Sequence, residues 1–230
     1  MREMTMSKID DYLKKGRTIR RAVNPELRYT EPTEENDAMN VTGYASTFNE
    51  PYDIGQYRDC GYDVVIREQV ADGAFDEADM TDVCFFYNHH DPVLARHKGK
   101  ENDTLQLSTD SHGLKIDANL SMSANGKDCY TNIRNGLIDQ MSFAFTVAED
   151  KVERTEDREN HIITVLRTIT KIGKVYDVSA VDFPANDGTD ISARSYSDGV
   201  MEQLKAERLE RQEREIAKQK LLLRIKLMEA

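Results

Sequence analysis

Between Val41 and about Ala193, apolar and polar residues alternate over short runs, the signature of strands with one buried face. NVTGYASTFN alternates, and Gly43 within it predicts a bulge or a close backbone approach. VCFFYNHH is rich in aromatic and β-branched residues, and TLQLSTDSHGLKIDANLSM reads as two strands around an SHG turn. QMSFAFTVAEDKVE and NHIITVLRTITKI predict a hairpin about the charged loop TEDREN, and KVYDVSAVDFP a final strand ended by Pro184. Ahead of these, ELRYTEPTEEND reads as an edge strand and an acidic turn. Apolar residues three and four apart predict helices at REQVADGAFDEA and KDCYTNIRNGLI. Many short strands with few helices point to a mainly β fold with flanking helices, a closed or sandwiched core rather than alternating βαβ units.

The two ends break this pattern. MSKIDDYLKKGRTIRRAVNPE is helical in pattern and carries a basic cluster of Lys14, Lys15, Arg17, Arg20 and Arg21. A solvated arm and a partner-binding helix fit it equally. VMEQLKAERLERQEREIAKQKLLLRIKLMEA has no Gly or Pro and is helix-forming almost throughout. Leu209, Ile216 and Leu223 fall seven apart among charged companions, so a short coiled coil and a single solvated helix with an apolar tip both remain open. Either would be an appendage suited to self-association or docking. The chain thus divides into a basic arm (1–25), a β domain (26–195) and a charged helical tail (196–230).

Composition narrows the function classes. Of 230 residues, 39% are hydrophobic and 32% charged, which suits a folded body with solvated ends. A formal net charge of -11 argues against general nucleic-acid binding, which needs clustered cations. Cys60, Cys84 and Cys129 lack CxxC spacing and fit free thiols in a reducing compartment. No run is long and apolar enough for a membrane span, and no signal-peptide core follows the N-terminus, so a soluble intracellular protein without a membrane partner is expected.

Candidate chemistry starts at DQMSFAF, where Ser142 sits inside an apolar run. A buried hydroxyl needs a partner, so Ser142 is either a small satisfied core residue or a reactive group. Strand alternation places Met141, Phe143 and Phe145 on one face and Ser142 and Ala144 on the other, leaving room beside the hydroxyl. Histidine and carboxylate, the other two roles of a serine nucleophile's relay, occur at Asn88-His89-His90-Asp91 and at Asp177 of VYDVSAV. On a continuing strand His89 and His90 face opposite ways, so one alone can serve. A turn at His-His-Asp-Pro, or a divalent-metal site on His89, His90 and Asp91, are the competing readings of the same stretch.

The chain resembles the caudovirus prohead proteases, serine-type capsid-maturation proteases of tailed bacteriophages, over about Glu26 to Ser195. GYASTFNEPYDIG is similar to the family's Gly-Tyr-Ala…Phe-Asn segment, and VADGAF carries its Gly-Ala-Phe. FFYNHHDPVLAR, IRNGLIDQMSFAF and KVYDVSAVDFPA follow in the family's order. The resemblance implies an assemblin-like β-barrel with flanking helices. It also implies a serine endopeptidase, needing no cofactor or metal, that acts on scaffold or major capsid protein inside the assembling prohead in the bacterial host cytoplasm. Self-association and self-cleavage accompany that picture. Carried over by position, Ser142 is the nucleophile, His89 the base and Asp177 the third member, where many relatives have Glu. His90 fills a place usually held by Asp or Asn and is the alternative base, although Asn88 anchors the choice at His89. Ala95 and Ala144 stand where the family usually has Gly. Arg96 and Arg167 are candidate oxyanion donors with surface roles as their alternative. The rival function is a catalytically idle scaffold or capsid-assembly module, to which the long tail lends support.

Overall fold

The structure, a computed structural model, describes residues 18–23, 25–182 and 191–228. Its strands are β1 (Thr18–Arg21), β2 (Arg28–Tyr29), β3 (Asn40–Thr47), β4 (Tyr52–Asp59), β5 (Tyr62–Val70), β6 (Val83–Tyr87), β7 (His90–His97), β8 (Leu105–Thr109) and β9 (Gly113–Asn119). Helix α1 (Ala124–Arg134), strands β10 (Gln140–Asp157) and β11 (Ile162–Val181) and helix α2 (Ile191–Met228) complete the order.

The predicted hairpin is the spine of the larger sheet. β10 and β11 pair antiparallel along almost their whole length, from Gln140↔Val181 to Asp157↔Ile162. IITVLRTITKI and KVYDVSAV are therefore one strand, not two. Its other edge is shared: Ile162–Ile169 pairs parallel with β5, and Asp177–Ala180 pairs parallel with β6. β4 and β7 extend those two wings, and β1 lies on the free side of β10. β2, β3, β9 and β8 form a second, four-stranded sheet.

Apolar faces of both sheets meet in one core. Val41, Leu105, Leu114 and Ile116 from the smaller sheet pack with Phe85, Met141, Phe143, Phe145 and Val178 from the larger. Cys129, Tyr130 and Ile133 of α1 close it from one end. The three cysteines are free, and burial pushes the Cys129 thiol up to about 12, so it is a packing group rather than a nucleophile.

The mainly β architecture with helices is as expected, but the sheets are open and form no closed barrel. Pairing between β3 and β5 stops at the single bridge Phe48↔Val70. There Asn49 takes a left-handed φ of 56°, and Pro51, without an N–H, turns the chain into β4. REQVADGAFDEA is not a helix. Val64, Ile66, Glu68 and Val70 face inward at strand spacing, and Glu68 hides the alternation because it is a charge in a buried position. Tight turns follow, with Asp76 N–H donating to the Gly73 carbonyl and Ala78 N–H to Phe75. Part of the arm expected to be helical, Thr18–Arg21, is an edge strand, since β10 offers it a ladder; residues 1–17 lie outside the described residues. Pro184, the expected strand stop, also lies outside them.

The tail is more than an appendage at its root. Tyr196, Val200, Met201 and Leu204 pack against Tyr52, Ile54, Val64, Ile66 and Val165 in a second core. Gly55 on β4 permits this approach: a Cβ there would stand 2.6 Å from Ser197 Oγ. Farther along, Leu209, Ile216 and Leu223 are exposed.

Glu68 is fully buried, and Arg20, Arg167 and the Tyr52 hydroxyl converge on it. Burial pushes its pKa up, but the two guanidinium groups and the phenol outweigh that and hold it below its ordinary value. A lowered carboxylate stabilises the fold fully above its unfolded value and loses that contribution as pH falls through the folded one. Resistance to urea should therefore decline from about pH 4 downward, and less so in Glu68→Gln. Replacing Phe143, stacked on Phe145 at 4.3 Å and nearly fully buried, by Ala should cost about 3–5 kcal/mol in urea unfolding.

Candidate active site

Alternation along β10 acts as expected at Ser142. Met141, Phe143 and Phe145 belong to the core, and Ser142 and Ala144 face the other way. Opposite them on β11 stand Ser179 (Ser142↔Ser179) and Asp177 (Ala144↔Asp177). Directly paired residues share a face, so one patch of the sheet carries two hydroxyls and a carboxylate.

His89 reaches this patch from the end of β6. Asn88 N–H donates to the Ala180 carbonyl, the last rung of the β6–β11 ladder. Asn88 and His89 then adopt left-handed φ values of 51° and 56° in succession. Such angles cost about 1–2 kcal/mol per residue for a side chain with a Cβ. The Asn88 amide offsets this by donating to Asp182 Oδ2 (3.0 Å) while its oxygen accepts the Asp182 backbone N–H (3.2 Å). The reversed turn throws the imidazole back over β10 and β11. His90, one residue on, starts β7 and is exposed.

The resulting chain is continuous. His89 Nε2 is 2.7 Å from Ser142 Oγ, and His89 Nδ1 is 2.5 Å from Asp177 Oδ1. An ionised carboxylate only accepts, so Nδ1 carries the proton and Nε2 is left to accept from the serine. The structure places Ser142 and Asp177 within hydrogen-bond reach of His89, and His90 lies outside this series. Among the described residues, no group of three His, Cys, Asp or Glu side chains could hold a metal.

Ser179 is a member of the site that the sequence reading does not include. Its hydroxyl donates to Asp177 Oδ1 at 3.0 Å, and its oxygen lies 3.1 Å from His89 Nδ1. The available signal is its place two residues after Asp177, on the same strand face. Neither candidate arginine serves the serine. Arg96 makes a two-pronged pair with Asp82 (2.7 and 2.8 Å), and Arg167 bonds Glu68 (2.9 Å) and Asp150 (2.5 Å) and stacks over Tyr196.

The open face expected beside Ser142 is covered. Ser142 is 1% exposed, Asp177 2% and Ser179 0%, whereas the His89 side chain keeps 12%. Ser142 Oγ also lies 3.0 Å from the carbonyl oxygen of Arg20 in β1. One hydroxyl proton therefore has two acceptors, His89 Nε2 and that carbonyl.

A mainly β chain with a serine, a histidine and a carboxylate linked in series is the arrangement of a serine-type hydrolase. The chain belongs to the caudovirus prohead serine protease family, whose model matches residues 26–203. Among solved structures it is similar to the bacteriophage T4 capsid assembly protease gp21, at 13% identity and a TM-score of 0.38, with 72% of this chain and 96% of that one covered. No curated protein sequence matches it.

The short His89–Asp177 contact should give a strongly downfield imidazole proton in the NMR spectrum. It should vanish in Asp177→Ala and persist in Ser142→Ala; persistence in both variants would place that proton elsewhere.

Proposed function

We propose that this chain is a serine endopeptidase of phage capsid maturation, cutting scaffold or major capsid protein inside the prohead. The observation that carries the reading is the unbroken hydrogen-bonded series from Asp177 through His89 to Ser142. In this reading Ser142 Oγ attacks the scissile carbonyl carbon as its proton passes to His89 Nε2. Asp177 holds the imidazole in the Nδ1–H tautomer and stabilises the imidazolium. His89 then returns the proton to the leaving amine, and the C–N bond breaks to leave an acyl-enzyme. Water, deprotonated by His89, hydrolyses the ester and regenerates Ser142. Ser179 steadies Asp177 and the ring rather than touching substrate.

The family assignment supports the setting: an assembling prohead in the bacterial cytoplasm, with capsid and scaffold proteins as substrates. The exposed apolar residues of α2 suit self-association of protease copies there. Self-cleavage within the arm or the tail fits the same picture. A second reading, an idle protease-fold assembly module, draws support from the buried state of Ser142.

Co-expression with the capsid and scaffold proteins separates the two. The wild type should process them and Ser142→Ala should not; equal processing by both would sink the protease reading. Asp177→Asn should keep the fold and lower the rate by about 10⁴-fold, because the tautomer is then wrong.

A further inference from the structure

Strand β1 occupies an unusual place. It pairs with β10 across the nucleophile itself, in the register Thr18↔Phe145, Ile19↔Ala144, Arg20↔Phe143 and Arg21↔Ser142. Ala22 N–H continues the ladder to the Met141 carbonyl at 2.9 Å. An extended segment laid antiparallel on a strand edge is how a peptide is bound by strand addition. Here that segment brings one particular carbonyl, that of Arg20, to 3.0 Å from Ser142 Oγ. The same residue sends its side chain into the protein, where the guanidinium meets Glu68. Arg20 is 3% exposed and Glu68 0%. The family model begins at residue 26, after this strand.

We propose that β1 is a substrate-like strand of this chain seated in its own cleft, and that Glu68 is the floor of a subsite for an Arg or Lys side chain. The inference rests on the protease reading of Ser142. It adds which peptide the cleft takes: one running antiparallel to Met141–Phe145, with its basic residue at the carbonyl facing the serine. Glu68 suits this task because it does not depend on the occupant alone. When β1 leaves, Arg167 at 2.9 Å and the Tyr52 hydroxyl at 2.8 Å still hold the carboxylate in place. A neutral side chain entering there would leave a buried anion short of a partner, which is how a site rejects the wrong residue.

Latency follows from the same contact. With β1 in place the serine is buried, and its hydroxyl can donate to the Arg20 carbonyl instead of His89. The protein is active only in the fraction of molecules from which β1 has moved, and substrate competes with it for the edge.

Two measurements on the 230-residue chain test this. The first is labelling of Ser142 by a fluorophosphonate probe. Arg20→Ala and Arg20→Glu should label about tenfold faster or more than wild type, since each raises the open fraction. An arginine that merely supports the fold would give slower labelling on loss, so unchanged or slower labelling in folded variants overturns the proposal. The second uses the wild type and needs no variant to fold. In hydrogen–deuterium exchange, excess peptide of sequence TIRRAV should speed exchange of the 18–21 amides, and TIQRAV should not. Equal effects of the two peptides, or no effect of either, would also overturn it. If Ser142 never labels yet β1 responds to TIRRAV alone, the cleft stands and the protease reading falls. If wild type labels rapidly while β1 stays protected, the protease reading stands and the cleft proposal falls.

Discussion

The register in which β10 lies on β11 is the constraint on which the site depends. Because the side-chain period of a strand is two, a slip of one residue would carry Ser142 into the core and Phe143 out of it. Burial of Met141, Phe143 and Phe145 makes such a slip costly. The hydrophobic core thereby fixes which face Ser142 presents, and the pairing of Ser142 with Ser179 and of Ala144 with Asp177 fixes which side chains share that face. The aromatic residues flanking the serine are therefore alignment as much as stability.

The parallel β6–β11 ladder supplies the second half of the placement. It ends where Asn88 and His89 reverse the chain, so the imidazole is anchored by a backbone rung on one side and the Asn88–Asp182 clamp on the other. Two successive left-handed residues are expensive in a loop with no other restraint, and here they bring the His89 ring to Ser142 and Asp177. Glu68 is a comparable case in the interior. A lone buried carboxylate would be several kcal/mol unfavourable, and the convergence of two guanidinium groups and a phenol makes it tolerable.

Sequence patterns reach much of this. Alternation finds β3, the β8–β9 hairpin and the β10–β11 hairpin, though it splits β11 in two; helical spacing finds α1, and helix-forming composition without Gly or Pro finds most of α2. The site residues Ser142, His89 and Asp177 come from ordered motifs rather than periodicity, since alternation alone does not choose between His89 and His90. That choice depends on left-handed backbone angles, which no hydropathy pattern encodes. β5 escapes the pattern because its inward-facing Glu68 looks like a surface charge until its partners, far away in sequence, are known. β1 escapes it for a related reason: TIRR has no apolar face of its own, and only the vacant edge of β10 makes it a strand. The expected barrel does not close: β3 and β5 meet only at the Phe48↔Val70 bridge, just before the chain turns at Asn49 and Pro51.

Helix α2 has a sharp internal boundary. Its contacts with the second core end at Leu204, while the helix runs on to Met228. Ion pairs of Glu207 with Arg154 and of Arg208 with Asp59 tether it one turn farther, and at about 1.5 Å per residue the part beyond Arg208 projects about 30 Å. It is sustained by local pairs such as Arg214–Glu210 rather than by tertiary burial. Such a segment opens by itself, at a small fraction of the energy that unfolds the sheets. The outer helix can fray, be gripped or be cut away while the strands that hold Ser142 and Asp177 stay paired, so the two halves of α2 belong to different cooperative units of one molecule.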